Sequence, residues 1–130
     1  MDTSNDHSAE IRADLAFWKD LAGGDNDCAR DLLTLYLADT SAEISRMVSA
    51  LADGRAEDVG RAAHTCAGSS STCGVHDLAD LFRRLEAQAR DNRLDELSDT
   101  LPLIVETFDQ VHQRLTRTIA ASQAPIQEPA

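Results

Sequence analysis

Apolar residues recur every three or four positions along nearly all of this 130-residue chain, and runs of strict alternation are almost absent. That period predicts an all-helical domain. A first amphipathic helix is expected over about residues 9–22, with Ile11, Leu15, Trp18 and Leu21 inward. Gly23-Gly24 should end it, because glycine accepts the left-handed conformation that helix C-termini favour. Asp25 can cap a second helix, whose apolar positions are Cys28, Leu32, Leu35, Tyr36, Ile44, Met47, Val48 and Leu51. Asp39-Thr40-Ser41 is expected to kink or re-cap it, and Gly54 to close it. A third helix, about residues 56–73, puts Val59, Ala62, Ala63, Cys66, Ser70 and Cys73 on its core side, and Gly74 stops it. The fourth, about residues 76–90, carries Leu78, Leu81, Phe82 and Leu85. After a turn at Asp91-Asn92, a fifth helix places Leu94, Leu97, Leu101, Ile104, Val105, Phe108, Val111, Leu115 and Ile119 on one face, with Pro102 expected to kink or restart it.

Four amphipathic helices with short connections, plus a shorter one before them, predict an all-α fold: an antiparallel four-helix bundle with an additional short N-terminal helix. The bundle should occupy residues 8–121 as one domain, between polar tails over residues 1–7 and 122–130 that are expected to be disordered.

Composition narrows the function. The formal net charge of −11 argues against a nucleic-acid partner, which basic stripes would serve. No basic amphipathic stretch points to a membrane surface. No run of eighteen apolar residues and no signal-peptide core over residues 1–7 are present, so a cytoplasmic location is expected. Eleven of the twelve basic residues are arginine and Lys19 is the one lysine, a usage that, with the many alanines, suggests a GC-rich bacterial genome. Cys28, Cys66 and Cys73 are odd in number and form no CxxC pair, which argues against a disulfide framework. Cys73 and His76 at i,i+3 could begin a metal site, but two further ligands are not evident, so no metal is expected.

The chemistry concentrates at His64. Gly68, one turn later, shares its helix face. A glycine in a helix interior costs roughly 1 kcal/mol relative to alanine, and close approach of another protein to the imidazole is the simplest reason to keep it. Val59, Cys66, Ser70 and Cys73 form one stripe, while Arg61, His64, Ala67, Gly68 and Ser71 form another rotated away from it. His64 is therefore expected to point outward or sit at a helix seam. A neutral imidazole nitrogen is a competent nucleophile toward an activated phosphoryl group. The Ser69-Ser70-Ser71 run has no nucleophile elbow or phosphate loop around it and reads as small residues allowing close helix approach.

The stretch Arg61-Ala62-Ala63-His64-Thr65-Cys66-Ala67-Gly68-Ser69-Ser70-Ser71-Thr72-Cys73-Gly74 resembles the signature of histidine-containing phosphotransfer domains, roughly A-H-x-x-K-G-S-x-x-x-x-G. The leucine-rich helix that follows the signature is matched by Leu78, Leu81, Leu85 and Glu86, and the similarity spans about residues 12–118. The resemblance implies that His64 is a phosphoacceptor, taking a phosphoryl group from the aspartate of one receiver domain and passing it to another. It implies no kinase activity and no resident cofactor, with Mg²⁺ held by the partner receiver. The implied partners are a response-regulator receiver domain and a hybrid sensor histidine kinase, with this chain a monomer. Ala63, Ala67, Gly68 and Ser71 would form the docking surface, and Gly74 would match the glycine that ends the histidine-bearing helix.

One position departs from the family pattern: Ala67 stands where lysine is usual. A cation there would offset the phosphoryl charge, so Arg61 and Arg84 are expected to provide electrostatic support, Arg83 being another candidate. Glu86 could hydrogen-bond the imidazole and fix its tautomer, or pair with Arg83 or Arg90 on its own helix. Two other readings stand beside the relay: a non-transferring adaptor that docks on a kinase or receiver and blocks it, and a bundle that senses metal or redox state through its cysteines. The starting Met1 and the polar tails are taken to favour a stand-alone protein.

Overall fold

In the computed structural model, which describes residues 24–123, four helices follow one another. They are α1 (Asn26–Ala52), α2 (Ala56–Thr72), α3 (His76–Arg90) and α4 (Leu94–Gln123), and no strand occurs among the described residues. The three-residue connections force each helix to reverse on its predecessor, giving the expected antiparallel four-helix bundle. The expected N-terminal helix and both tail segments lie outside the described residues, except that α4 runs on to Gln123.

All three turns use one device. Gly54 N–H donates to Leu51 C=O and Arg55 N–H to Ala50 C=O; Gly74 and Val75 repeat this onto Ser71 and Ser70, and Asn92 and Arg93 onto Ala89 and Gln88. The middle residue has positive φ each time, 72° at Gly54, 78° at Gly74 and 56° at Asn92. This is the Schellman closure, which satisfies the last carbonyls of one helix and redirects the chain into the next. Gly74 thus ends α2 as expected, one residue past Cys73. At the start of α1, on the same end of the bundle as the Gly74 turn, Asp25 is the cap, its Oδ1 accepting from Asp27 N–H at 2.9 Å and Cys28 N–H at 3.3 Å.

The core is built from Leu33, Tyr36 and Met47 of α1, Val59, Ala63 and Cys66 of α2, Leu78, Phe82 and Leu85 of α3, and Leu97, Leu101, Ile104 and Leu115 of α4. Helices α2 and α3 lie closest together. A Cβ placed on Gly60 would stand 3.1 Å from Ala89 Cβ, so the absent side chain at Gly60 sets their separation. Helix α1 is pinned to α2 by a buried hydrogen bond of 2.7 Å between the Tyr36 hydroxyl and Ser70 Oγ.

Several helical expectations change. Asp39-Thr40-Ser41 does not re-cap α1, which runs unbroken from Asn26 to Ala52: Thr40 faces the core and hydrogen-bonds the Tyr36 hydroxyl, so its side chain does not compete for the backbone. The chain does not restart at Pro102, which is exposed on α4; the donor it lacks leaves Ser98 C=O at a water-facing position. Cys28, Leu35, Val48, Leu94 and Val105 are exposed rather than inward. No helix among the described residues is long and apolar enough to cross a membrane.

Candidate functional site

His64 lies at the midpoint of α2, one turn past Gly60. Because Gly60 lets α3 approach, the imidazole reaches the facing helix without leaving the surface. Its side chain is 76% exposed, yet Nδ1 lies 2.9 Å from Glu86 Oε2. An ionised carboxylate can only accept, so this contact is served by the tautomer with its proton on Nδ1. The lone pair then sits on Nε2, the nitrogen available for attack. Glu86 is three-quarters buried against the seam, and the same Oε2 stands 3.6 Å from Arg90 Nη2 at i+4. One oxygen atom of Glu86 thus makes both contacts, with the imidazole across the seam and with Arg90 on its own helix.

Around the ring runs an open groove of about 820 Å³ lined by Glu57, Arg61, Thr65, Glu86, Arg90 and Asn92, with Ala56, Gly60 and Ala89 at its base. Arg61 belongs to this groove, and its guanidinium is held by Glu57 at 2.9 Å, one turn earlier on the exposed face. Toward the other end of α2 the face changes character. Gly68 is exposed, and a Cβ there would meet nothing within 4 Å; Ser69 and Thr72 are exposed, and Ser71 is half-buried. Along α2 itself, one side of His64 is thus charged and grooved, the other small and neutral.

Three of the expected site residues stand elsewhere. Ala63 and Ala67 are buried, at 0% and 4% exposure, and belong to the core rather than to a docking surface. The physical reason is that α2 packs against α1 on one flank and α3 on the other, so its buried arc extends over both alanines. Arg84 is exposed but lies two residues from Glu86, about 200° around α3, on the side away from His64. Arg90, four residues on, is the α3 arginine that lines the groove. Gly60, Arg90 and Asn92 were not among the site residues expected from the sequence, where Arg90 stood only as a pairing partner for Glu86 and Asn92 only as a turn residue. Their signals were a small residue on each helix at the seam, Gly60 facing Ala89, and the i,i+4 spacing of Glu86 and Arg90.

The remaining candidates are inert. Burial pushes the Cys66 thiol up to about 12 and that of Cys73 up to about 11, which keeps both protonated and unreactive at neutral pH. Tyr36, also buried, is raised above the ordinary tyrosine range. Ser70 is wholly buried and bonded to Tyr36. No group of three or more His, Cys, Asp or Glu side chains among the described residues could hold a metal ion. His112 packs edge-on against Phe108, ring centroids 5.8 Å apart.

The Hpt domain family model matches residues 31–121 of the chain. Among solved structures, the crystal structure of histidine-containing phosphotransfer protein B (HptB) from Pseudomonas aeruginosa matches with a TM-score of 0.56 and 24% sequence identity, covering 78% of this chain and 92% of that chain. At that identity the likeness speaks to the fold. A comparison with curated proteins finds no match.

Proposed function

The chain belongs to the Hpt domain family, and on that premise we propose that it is a phosphocarrier of two-component signalling in which His64 relays a phosphoryl group between receiver-domain aspartates. The observation that carries this reading is the hydrogen bond from Nδ1 to Glu86 on an imidazole that otherwise stands in solvent. It fixes the tautomer, orients the ring, and leaves Nε2 as the nucleophile.

In the forward step the Nε2 lone pair attacks the phosphorus of a partner's aspartyl phosphate. The P–O bond to the aspartate breaks, the carboxylate leaves with the electron pair, and an N–P bond forms. The ring keeps its Nδ1 proton, and the positive charge it gains is met by Glu86. The second step reverses these events with another receiver's carboxylate as nucleophile. Mg²⁺ and the acidic pocket belong to the receivers, which supply most of the electrostatic catalysis. This chain has no kinase role of its own; it acts as a monomer in the cytoplasm, between a hybrid sensor kinase and a response regulator. Gly68, Ser71 and Thr72 form the small, neutral side on which a receiver rests.

Incubation with receiver domains phosphorylated on aspartate tests the reading. Acid-labile label should pass to the wild-type protein and be absent from His64→Gln. A protein that binds the receiver yet takes no label would instead be the non-transferring adaptor, a reading favoured by Ala67 in the place of the family's lysine.

A further inference from the structure

Ala67 removes the usual cation beside the histidine, and its short, buried side chain carries no group that could meet the phosphoryl charge. The groove holds two arginines. Arg61 is engaged by Glu57 at hydrogen-bonding distance, 2.9 Å. Arg90 is held differently. Its Nη2 is 3.6 Å from Glu86 Oε2, beyond hydrogen-bonding distance, and that oxygen is already committed to His64 Nδ1 at 2.9 Å. Because both contacts share one oxygen, Arg90 Nη2 cannot be farther from Nδ1 of His64 than the two distances combined, and its 69% exposed side chain is free to swing around the ring edge toward Nε2.

We propose that Arg90 is a phosphoryl-binding residue of His64, resting against Glu86 until the imidazole is modified and then moving to the phosphoryl oxygens. The inference rests on the phosphocarrier reading and deepens it. In the unmodified protein Glu86 carries one negative charge that His64 and Arg90 share. Modification at Nε2 brings about two more negative charges into the groove, while the ring, now cationic, draws Glu86 more strongly through Nδ1–H. Both changes favour transfer of Arg90 from carboxylate to phosphoryl group. A guanidinium suits this role because its fork of donors matches phosphate oxygens in pairs. The cation the family places on the histidine's own helix is thereby supplied from across the seam by α3.

Phosphoramidate, a small phosphoryl donor, makes the test independent of any partner. Its P–N bond breaks, ammonia leaves, and the phosphoryl group joins Nε2. The pH titration of the resulting phosphorus resonance by NMR reports loss of the proton from the phosphohistidine ring, whose midpoint a cation drawn to the adjoining phosphoryl group lowers. Arg90→Ala should raise that midpoint by about half a pH unit, the effect of one charge a few ångströms away in water. Arg90→Lys should restore most of the difference. Arg84→Ala, on the far side of α3, should leave it unchanged, and His64→Gln identifies the resonance. A midpoint in Arg90→Ala equal to wild type, or shifted no more than in Arg84→Ala, overturns the assignment of Arg90 while leaving the phosphocarrier reading intact. Failure of wild-type His64 to take the phosphoryl group at all overturns both.

Discussion

Gly68 offers the sharpest separation of stability from function. It sits in the interior of α2, exposed, four residues past His64, and a Cβ placed there meets nothing within 4 Å. Nothing in the described packing requires a glycine, whose presence in a helix costs about 0.8–1.0 kcal/mol relative to alanine. Gly68→Ala should therefore stabilise the domain by about 0.5–1 kcal/mol and raise its melting temperature by roughly 3–5 °C. Gly60 supplies the contrast. Its added Cβ would press on Ala89 Cβ at 3.1 Å, so Gly60→Ala should lose the helical gain to crowding at the seam and melt no higher than wild type.

If a receiver approaches the open face at Gly68, the more stable variant should also be the poorer carrier. Gly68→Ala should transfer more slowly, and Gly68→Leu on the order of tenfold more slowly, corresponding to about 1.4 kcal/mol lost at the interface. Thermal melts followed by circular dichroism, run beside transfer kinetics from a phosphorylated receiver, measure both sides. Unimpaired transfer by Gly68→Leu would refute the argument that this glycine serves a partner. A melting temperature lowered by Gly68→Ala would refute the claim that the fold has no use for it.

Other perturbations test the scaffold. Tyr36→Phe removes the buried bond to Ser70 and leaves that hydroxyl unsatisfied, so the urea midpoint should fall by the equivalent of about 1–2 kcal/mol with an unchanged slope. Phe82→Ala, at a fully buried position where α3 meets the core, should cost about 3–5 kcal/mol in the same experiment. In the native protein at pH 8, a thiol reagent should label exposed Cys28 and spare buried Cys66 until unfolding. Above pH 9, unfolded thiols release protons that folded Cys66 and Cys73 retain up to about 12 and 11, so stability should decline as pH rises through that window. Cys66→Ala should flatten the decline; an unchanged slope would show that the buried thiol does not contribute.

Which features were legible in the sequence follows from how strongly each residue type constrains its surroundings. Gly54 and Gly74 had to mark turns, since both adopt positive φ at a helix end. Asp25 had to be a cap, and Leu78, Phe82 and Leu85 could face only inward. Alanine carries no such constraint. On α2, where Ala62, Ala63 and Ala67 mingle with serine and glycine, the contrast between faces was too weak to show that two neighbouring helices widen the buried arc. The exposed Leu35, Val48 and Val105 were misplaced for the opposite reason: α1 and α4 are far longer than α2 and α3, so among the described residues not every apolar position has a neighbour to cover it.

The site itself divides along the same line. His64 and Gly68 share one helix, and their relation follows from a single period. Glu86 reaches His64, and Arg90 lines the same groove, only because α3 returns antiparallel at a separation set by Gly60 against Ala89, a distance that no pattern within either helix encodes. Once that register exists, the choice among arginines is geometrical. Arg84 is two residues from Glu86 and points away, whereas Arg90 is four residues on and returns to the same edge. A cation missing from one helix can therefore be replaced only from particular positions on its neighbour. In this bundle, the close packing that sustains the fold also determines which charges line the groove beside the imidazole.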